Sequence, residues 1–164
     1  MGYTTELKGR FEFNKKLDPT HQHYLEMFAA TRRMKRDPIK LIATPDKHAL
    51  AAGLDVGTEG EYFVAGTGDF GQGHEESVVD HNHPPRTQPG LWCQWIPTED
   101  GKYLEWDGGE KFYEYVKWLE YIIDNFLTRW GYSITGIVRW QGEDMSDRGK
   151  IIVKDNKIEI VNLE

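Results

Sequence analysis

Metal-ligating side chains gather most densely between residues 74 and 83, where His74, Glu75, Glu76, Asp80, His81 and His83 hold half of the chain's six histidines. Imidazoles and carboxylates are the donors that hold zinc or manganese. An extended His81-Asn82-His83 would turn both rings to one side. The metal set is therefore His74, Asp80, His81 and His83, with Glu75 or Glu143 beside it as acid or base. Pro84-Pro85 follows at once and marks an exposed extended segment, so a solvated polar loop or a pH-sensitive contact accounts for the same residues. Upstream, Gly66-Thr67-Gly68-Asp69-Phe70-Gly71 reads G-x-G-x-x-G, a pattern that lets backbone amides approach a phosphate. No helical pattern follows it, and His74-Glu75-Glu76 adds charge of the wrong sign, which favours a surface loop over a nucleotide site.

Three further sets carry chemistry. Arg32-Arg33-Met34-Lys35-Arg36 stands at the end of an expected helix, where the dipole favours cations. The clustering exceeds that need, and makes Arg32, Arg33 and Arg36 candidates for an acidic surface, RNA or a nucleotide ligand. Trp92, Trp95, Trp106 and Trp140, with Phe70, are candidates for an exposed aromatic binding surface, while Trp118 and Trp130 fit a core. Glu105, Asp107, Glu143 and Asp144 would make a carboxylate pair or a divalent-cation site if their strands were neighbours. Capping and turns explain Asp100, Asp107, Glu110, Asp144 and Asp147 one at a time.

The elements that must position these residues are better specified. Leu7 to Phe13 alternates as a strand. Asp18-Pro19 is a helix start, with apolar spacing out to about Met34. A short helix is expected from Thr44-Pro45 to Ala52, and a strand from Glu61 to Ala65. Residues 53–90 otherwise lose periodicity and read as a long Gly/His/Pro-rich insertion loop. Leu91 to Ile96 and Lys102 to Trp106 form a hairpin across Thr98-Glu99-Asp100-Gly101. Asp107-Gly108-Gly109-Glu110 has capping-box spacing, and apolar positions from Phe112 to Trp130 keep the helical period until Gly131 stops it. Ile134 to Trp140 is a strand, echoing Leu7 to Phe13, and Ile151 to Val153 pairs with Lys157 to Val161 around Asp155-Asn156. The order implies an α+β two-layer sandwich: an antiparallel-rich sheet, two main helices, a ferredoxin-like (split βαβ) core order and a C-terminal hairpin.

With 164 residues the chain should bury roughly 70% of its unfolded surface, enough for the single domain, 1–164, expected here. Its net charge of −7 argues against a sequence-independent grip on nucleic acid. That charge is uneven, with nine Lys/Arg against five Asp/Glu in residues 1–40. No apolar run suggests a membrane span, and the lone Cys93, alternating with Leu91 and Trp95, reads as a small buried hydrophobe in a cytoplasmic protein. No catalytic constellation stands out. The leading reading is a non-enzymatic binding protein that needs no cofactor; the alternative is a small metal- or nucleotide-dependent enzyme centred on residues 66–83.

The blocks Thr31-Arg32-Arg33-Met34-Lys35-Arg36-Asp37, Gly90-Leu91-Trp92-Cys93-Gln94-Trp95, Glu105-Trp106-Asp107-Gly108-Gly109-Glu110-Lys111-Phe112-Tyr113 and Trp140-Gln141-Gly142-Glu143-Asp144 resemble a family of small uncharacterised proteins encoded by bacteriophages and prophages. The resemblance spans almost the whole chain and brings no activity with it. It implies an accessory protein made in an infected bacterium, with a host or phage protein or a small nucleotide-like ligand as partner, and host-defence inhibition as one form of the function. The histidine-rich Asp80-His81-Asn82-His83 departs from the family pattern.

Overall fold

A computed structural model describes residues 2–64, 72–73 and 75–163. In chain order its elements are β1 (Thr5–Phe13), α1 (Pro19–Ala30), β2 (Lys35–Arg36), α2 (Pro38–Ala43), α3 (Lys47–Ala51), β3 (Val78–Asp80), β4 (Trp95–Pro97), β5 (Tyr103–Trp106), α4 (Tyr115–Ile122), α5 (Thr128–Trp130), β6 (Ile134–Gly142), β7 (Arg148–Lys154) and β8 (Lys157–Asn162). They gather into two compact units, one made of Met1–Leu17 with Gln94–Glu164 and the other of Asp18–Cys93. We call them the sheet unit and the arginine unit.

The sheet unit holds a six-stranded sheet in the order β4-β5-β1-β6-β7-β8, antiparallel throughout. This makes the protein mixed α+β. The four strands of the expected core stand side by side in the order β4-β5-β1-β6. Strand alternation sets its two faces. Leu7, Phe11 and Phe13 of β1, Val138 and Trp140 of β6, and Ile151 and Val153 of β7 are buried on one face. The two segments that echo each other in sequence are partners, pairing Phe13 with Ile134 and Leu7 with Trp140. Their glycines allow the approach. A Cβ at Gly136 would lie 2.6 Å from the Arg10 carbonyl, and one at Gly9, whose φ is +107°, 2.5 Å from that of Ile137.

On the buried face the Trp95 indole donates to the Tyr115 carbonyl at 2.8 Å, and the Tyr115 ring meets that of Trp140 at 6.2 Å. Trp118, Leu119 and Ile122 of α4 are buried, as are Phe126 and Leu127 in the π-helical turn Ile123–Leu127 that joins α4 to α5. Gly131 ends the helix at φ +84°, as the sequence predicts. The start differs. Asp107 accepts from the Gly109 amide at 2.7 Å in a local turn, and positive φ at both Lys111 and Glu114 delays the helix to Tyr115. The C-terminal hairpin turns on Asp155 and Asn156 at φ 47° and 70°, the left-handed pair of a type I′ turn.

The arginine unit is built from short pieces. Asp18 caps α1 by accepting from the Thr20 amide at 2.9 Å, and α1 buries Tyr24, Leu25 and Phe28. It stops at Ala30 instead of Met34, because Thr31 is extended and the chain restarts as α2 behind a second Asp-Pro cap, Asp37-Pro38. Asp46 caps α3 in the same way at 3.0 Å. The expected strand at Glu61 is a turn, closed by the Glu61 amide on Thr58 and the Phe63 amide on Gly60; Ala65 lies outside the described residues. Within the supposed loop 53–90, Leu54, Tyr62, Val64, Ser77 and Gln88 are buried, so its described part supplies a share of the core of this unit. No helix among the described residues is long and apolar enough to cross a membrane.

Candidate functional site

The basic run lies in the extended segment between α1 and α2, where its backbone is zipped to the histidine segment and beyond. The Arg33, Lys35 and Asp37 amides donate to the carbonyls of Leu91 at 2.7 Å, His83 at 2.9 Å and Ser77 at 2.8 Å. This draws two of the cations inward. Arg33 and Arg36 are each 2% exposed, which corrects the expectation of a solvent-facing or ligand-facing cationic cluster. Arg33 Nη2 donates to the Glu61 carbonyl at 2.8 Å and the Phe63 carbonyl at 2.6 Å, and its guanidinium lies 4.1 Å from the centre of the Phe28 ring. Gln88 Nε2 reaches the same Glu61 carbonyl at 2.8 Å. Arg36 stacks on Phe63 at 3.7 Å and donates from Nη1 to Ser77 Oγ at 2.9 Å and to Glu75 Oε2 at 3.4 Å. Burial pulls its pKa down to about 10 against the opposing pull of Glu75. It remains cationic at neutral pH. Arg32 is half-buried and donates to the His81 carbonyl at 2.9 Å.

The planar guanidinium explains the choice of arginine, since it stacks on a ring and donates in its plane at once. The two cations thereby brace Phe63 and the turn before it. That turn forms one wall of a cavity of about 190 Å³ lined by Leu41, Ile42, Pro45, Ala49, Leu50, Leu54, Val56 and Phe63, with Asp46 and Asp55 as its carboxylates. Asp46 is engaged, its two oxygens accepting from the His48 amide at 3.0 Å and the Val64 amide at 2.8 Å. Asp55 accepts from the Gly57 amide at 2.8 Å. Ile42 and Leu50, on different helices, are 65% and 58% exposed beside the cavity, and Ile39 of α2 is 77% exposed.

The other candidates fall elsewhere. His74 and Phe70 lie outside the described residues, as does the stretch from Gly66 to Gly71. Asp80 and His83 form an exposed pair at 2.8 Å. The Asn82 amide and then the His83 ring hold the Asp80 carboxyl below its usual range. Among the described residues no three histidine, cysteine or acidic side chains are placed to share a metal ion. The acidic residues act singly: Asp144 accepts from the Ser146 amide, Asp147 from the Trp140 indole at 2.9 Å, and Glu143 from the Thr4 amide at 2.8 Å.

Two of the four tryptophans expected on an aromatic surface are buried. Trp95 and Trp140 are 1% and 6% exposed, and Trp92 and Trp106 are half-buried, because strand alternation directs Trp95, Trp106 and Trp140 to the core side. Cys93 is fully buried as expected, although the strand predicted from Leu91 begins only at Trp95.

Sequence reasoning missed the cavity altogether. Its walls come from two helices of six and five residues, too short for apolar periodicity to register. One signal was available: Asp37-Pro38 repeats the Asp18-Pro19 cap and would have placed residues 31–36 in a connection between helices.

No protein-family model, curated protein or solved structure matches the chain. The class of protein is thus defined by its own geometry: a mixed α+β chain with an antiparallel sheet unit and an apolar cavity braced by buried arginines.

Proposed function

We propose that this is a non-enzymatic binding protein, and that the cavity between α2 and α3 receives one large apolar side chain of a protein partner. The supporting observation is a small apolar cavity flanked by Ile42 and Leu50, large hydrophobics held in solvent on two separate helices. At about 190 Å³ it falls below the roughly 300–1,000 Å³ usual for small-molecule sites. It has the character of an interface hot spot, in which an anchor enters a pocket ringed by contacts that exclude water. In architecture we propose a two-layer arrangement for the sheet unit, supported by the aromatic contacts of α4 with the sheet. The resemblance to phage-encoded proteins suggests a partner in the bacterial host or the phage itself, and interference with host defence as the outcome.

The test is affinity capture from bacterial lysate with the wild-type chain and an Ile42→Asp/Leu50→Asp variant. Both side chains are more than half exposed, so the variant should stay folded, with an unfolding temperature close to that of the wild type. The expected result is a partner retained by the wild type and lost, by at least about tenfold, from the variant. Equal capture by both proteins would reject the cavity as the binding site.

A further inference from the structure

We propose that the outer face of the six-stranded sheet docks single-stranded nucleic acid, a second binding activity independent of the cavity. The face is defined by the residues that alternate with the buried ones, and strand register lays them out in rows. Lys8 of β1 is opposite Arg139 of β6, and Arg139 is opposite Lys150 of β7. Two residues along the strands, Arg10 is opposite Ile137, and Ile137 is opposite Ile152. A cationic row therefore runs beside a row of one guanidinium and two isoleucines, about 7 Å away.

Like charges directly opposite each other destabilise a sheet. A chain with 27 acidic against 20 basic residues has no compositional need to align three cations. Neutralisation within the protein is slight. Lys8 has one contact, at 3.9 Å, with Glu6, both of them largely in solvent, and among the described residues neither Arg139 nor Lys150 has an ion pair. Apart from Glu6, the acids on this face lie opposite residues outside the cationic row: Glu105 is opposite Arg10, Glu159 opposite Ile152 and Glu12 opposite Thr135. A polyanion would relieve the repulsion.

The second row decides which polyanion. The Arg10 guanidinium carbon lies 3.7 Å from the centre of the Tyr103 ring, which holds that side chain over the face, and Ile137 beside it is 47% exposed. Unpaired bases stack on guanidinium planes and apolar side chains. A duplex would offer phosphates with its base faces hidden, and an acidic peptide would leave the stacking row unused.

The experiment is fluorescence anisotropy of the full chain with labelled oligothymidylate and oligouridylate of about twelve nucleotides, a duplex of the same length, and a polyglutamate peptide. The expected result is binding of a single strand at about 50 mM salt, at least tenfold tighter than the duplex or the peptide, with log K falling against log salt at a slope of about −2 for three phosphate contacts. Arg139→Gln/Lys150→Gln should weaken binding more than tenfold and bring the slope to about −0.7, while its unfolding temperature equals or exceeds that of the wild type. Ile137→Ser should weaken binding with the slope unchanged. The proposal is overturned if no single strand binds, if the double variant binds like the wild type, or if the duplex or polyglutamate binds as tightly; tight polyglutamate binding would mark the face as a site for acidic proteins.

Discussion

In the sheet unit, five antiparallel ladders pair the backbone and aromatic side chains fill the space behind them; in the arginine unit the longest strand has three residues, and the carbonyls of Glu61 and Phe63 are met instead by the Arg33 guanidinium. Buried backbone groups must be paired wherever they lie. A regular sheet does this with the backbone alone, leaving side chains to supply apolar area. An irregular segment has to spend side chains on it, and a buried cation with several planar donors serves many acceptors at once. The difference teaches that the arginine unit rests on a few polar contacts of high individual weight, whereas the sheet unit spreads its stability over many apolar ones.

The comparison breaks most readily in the core of the sheet unit. Trp118 is fully buried, and Trp118→Ala should cost about 3–5 kcal/mol in urea unfolding. A loss under about 1 kcal/mol would mean the helix is not packed as described. In the arginine unit, Arg33→Met should cost roughly 2–4 kcal/mol, since two charge-assisted hydrogen bonds to carbonyls disappear. Arg36→Met should cost less, about 1 kcal/mol or under, because Arg36 donates to a hydroxyl and a half-exposed carboxylate and to no backbone carbonyl, and a buried cation can often be replaced by an apolar side chain of similar size. Equal losses for the two variants would remove the special weight given to Arg33.

A smaller effect appears in both units at high pH. Burial raises the Tyr24 hydroxyl well above its usual value, and raises that of Tyr115 to about 12. A folded-state pKa above the unfolded one contributes stability that is fully present below about pH 10 and is lost as pH rises toward the folded value. Tyr24 should therefore destabilise the arginine unit by up to about 1.4 kcal/mol for each pH unit above 10. Tyr24→Phe, which also removes the donor to the Tyr62 carbonyl, should start less stable at pH 8 and flatten this alkaline decline. An unaltered slope would place that ionisation in water.

The sheet unit was largely legible because its signals are local. Alternation in Leu7 to Phe13 and Ile134 to Trp140, the left-handed Asp155-Asn156 turn and the Gly131 stop each act within a few residues, and each sits where expected. What alternation could not supply is register. Lys8, Arg139 and Lys150 become neighbours only when three strands align, so the cationic row is invisible along the chain. The arginine unit was illegible for the opposite reason. Its irregular backbone is fixed by contacts from Arg33 to Glu61 and Gln88, far apart in sequence, and a cationic run at the end of a helix reads by default as solvated. The tryptophans misled through their number, since half-buried and buried rings satisfy the same pattern as an exposed platform.

Native-state hydrogen exchange on Arg33→Met is the most direct measurement of the division between the units. The Arg33 guanidinium is taken to hold the arginine unit's irregular backbone in place, so the Lys35 and Asp37 amides, which donate to His83 and Ser77, should lose protection while those of Phe11, Val138 and Ile151 keep theirs. Equal loss in both units, or none in either, would contradict it.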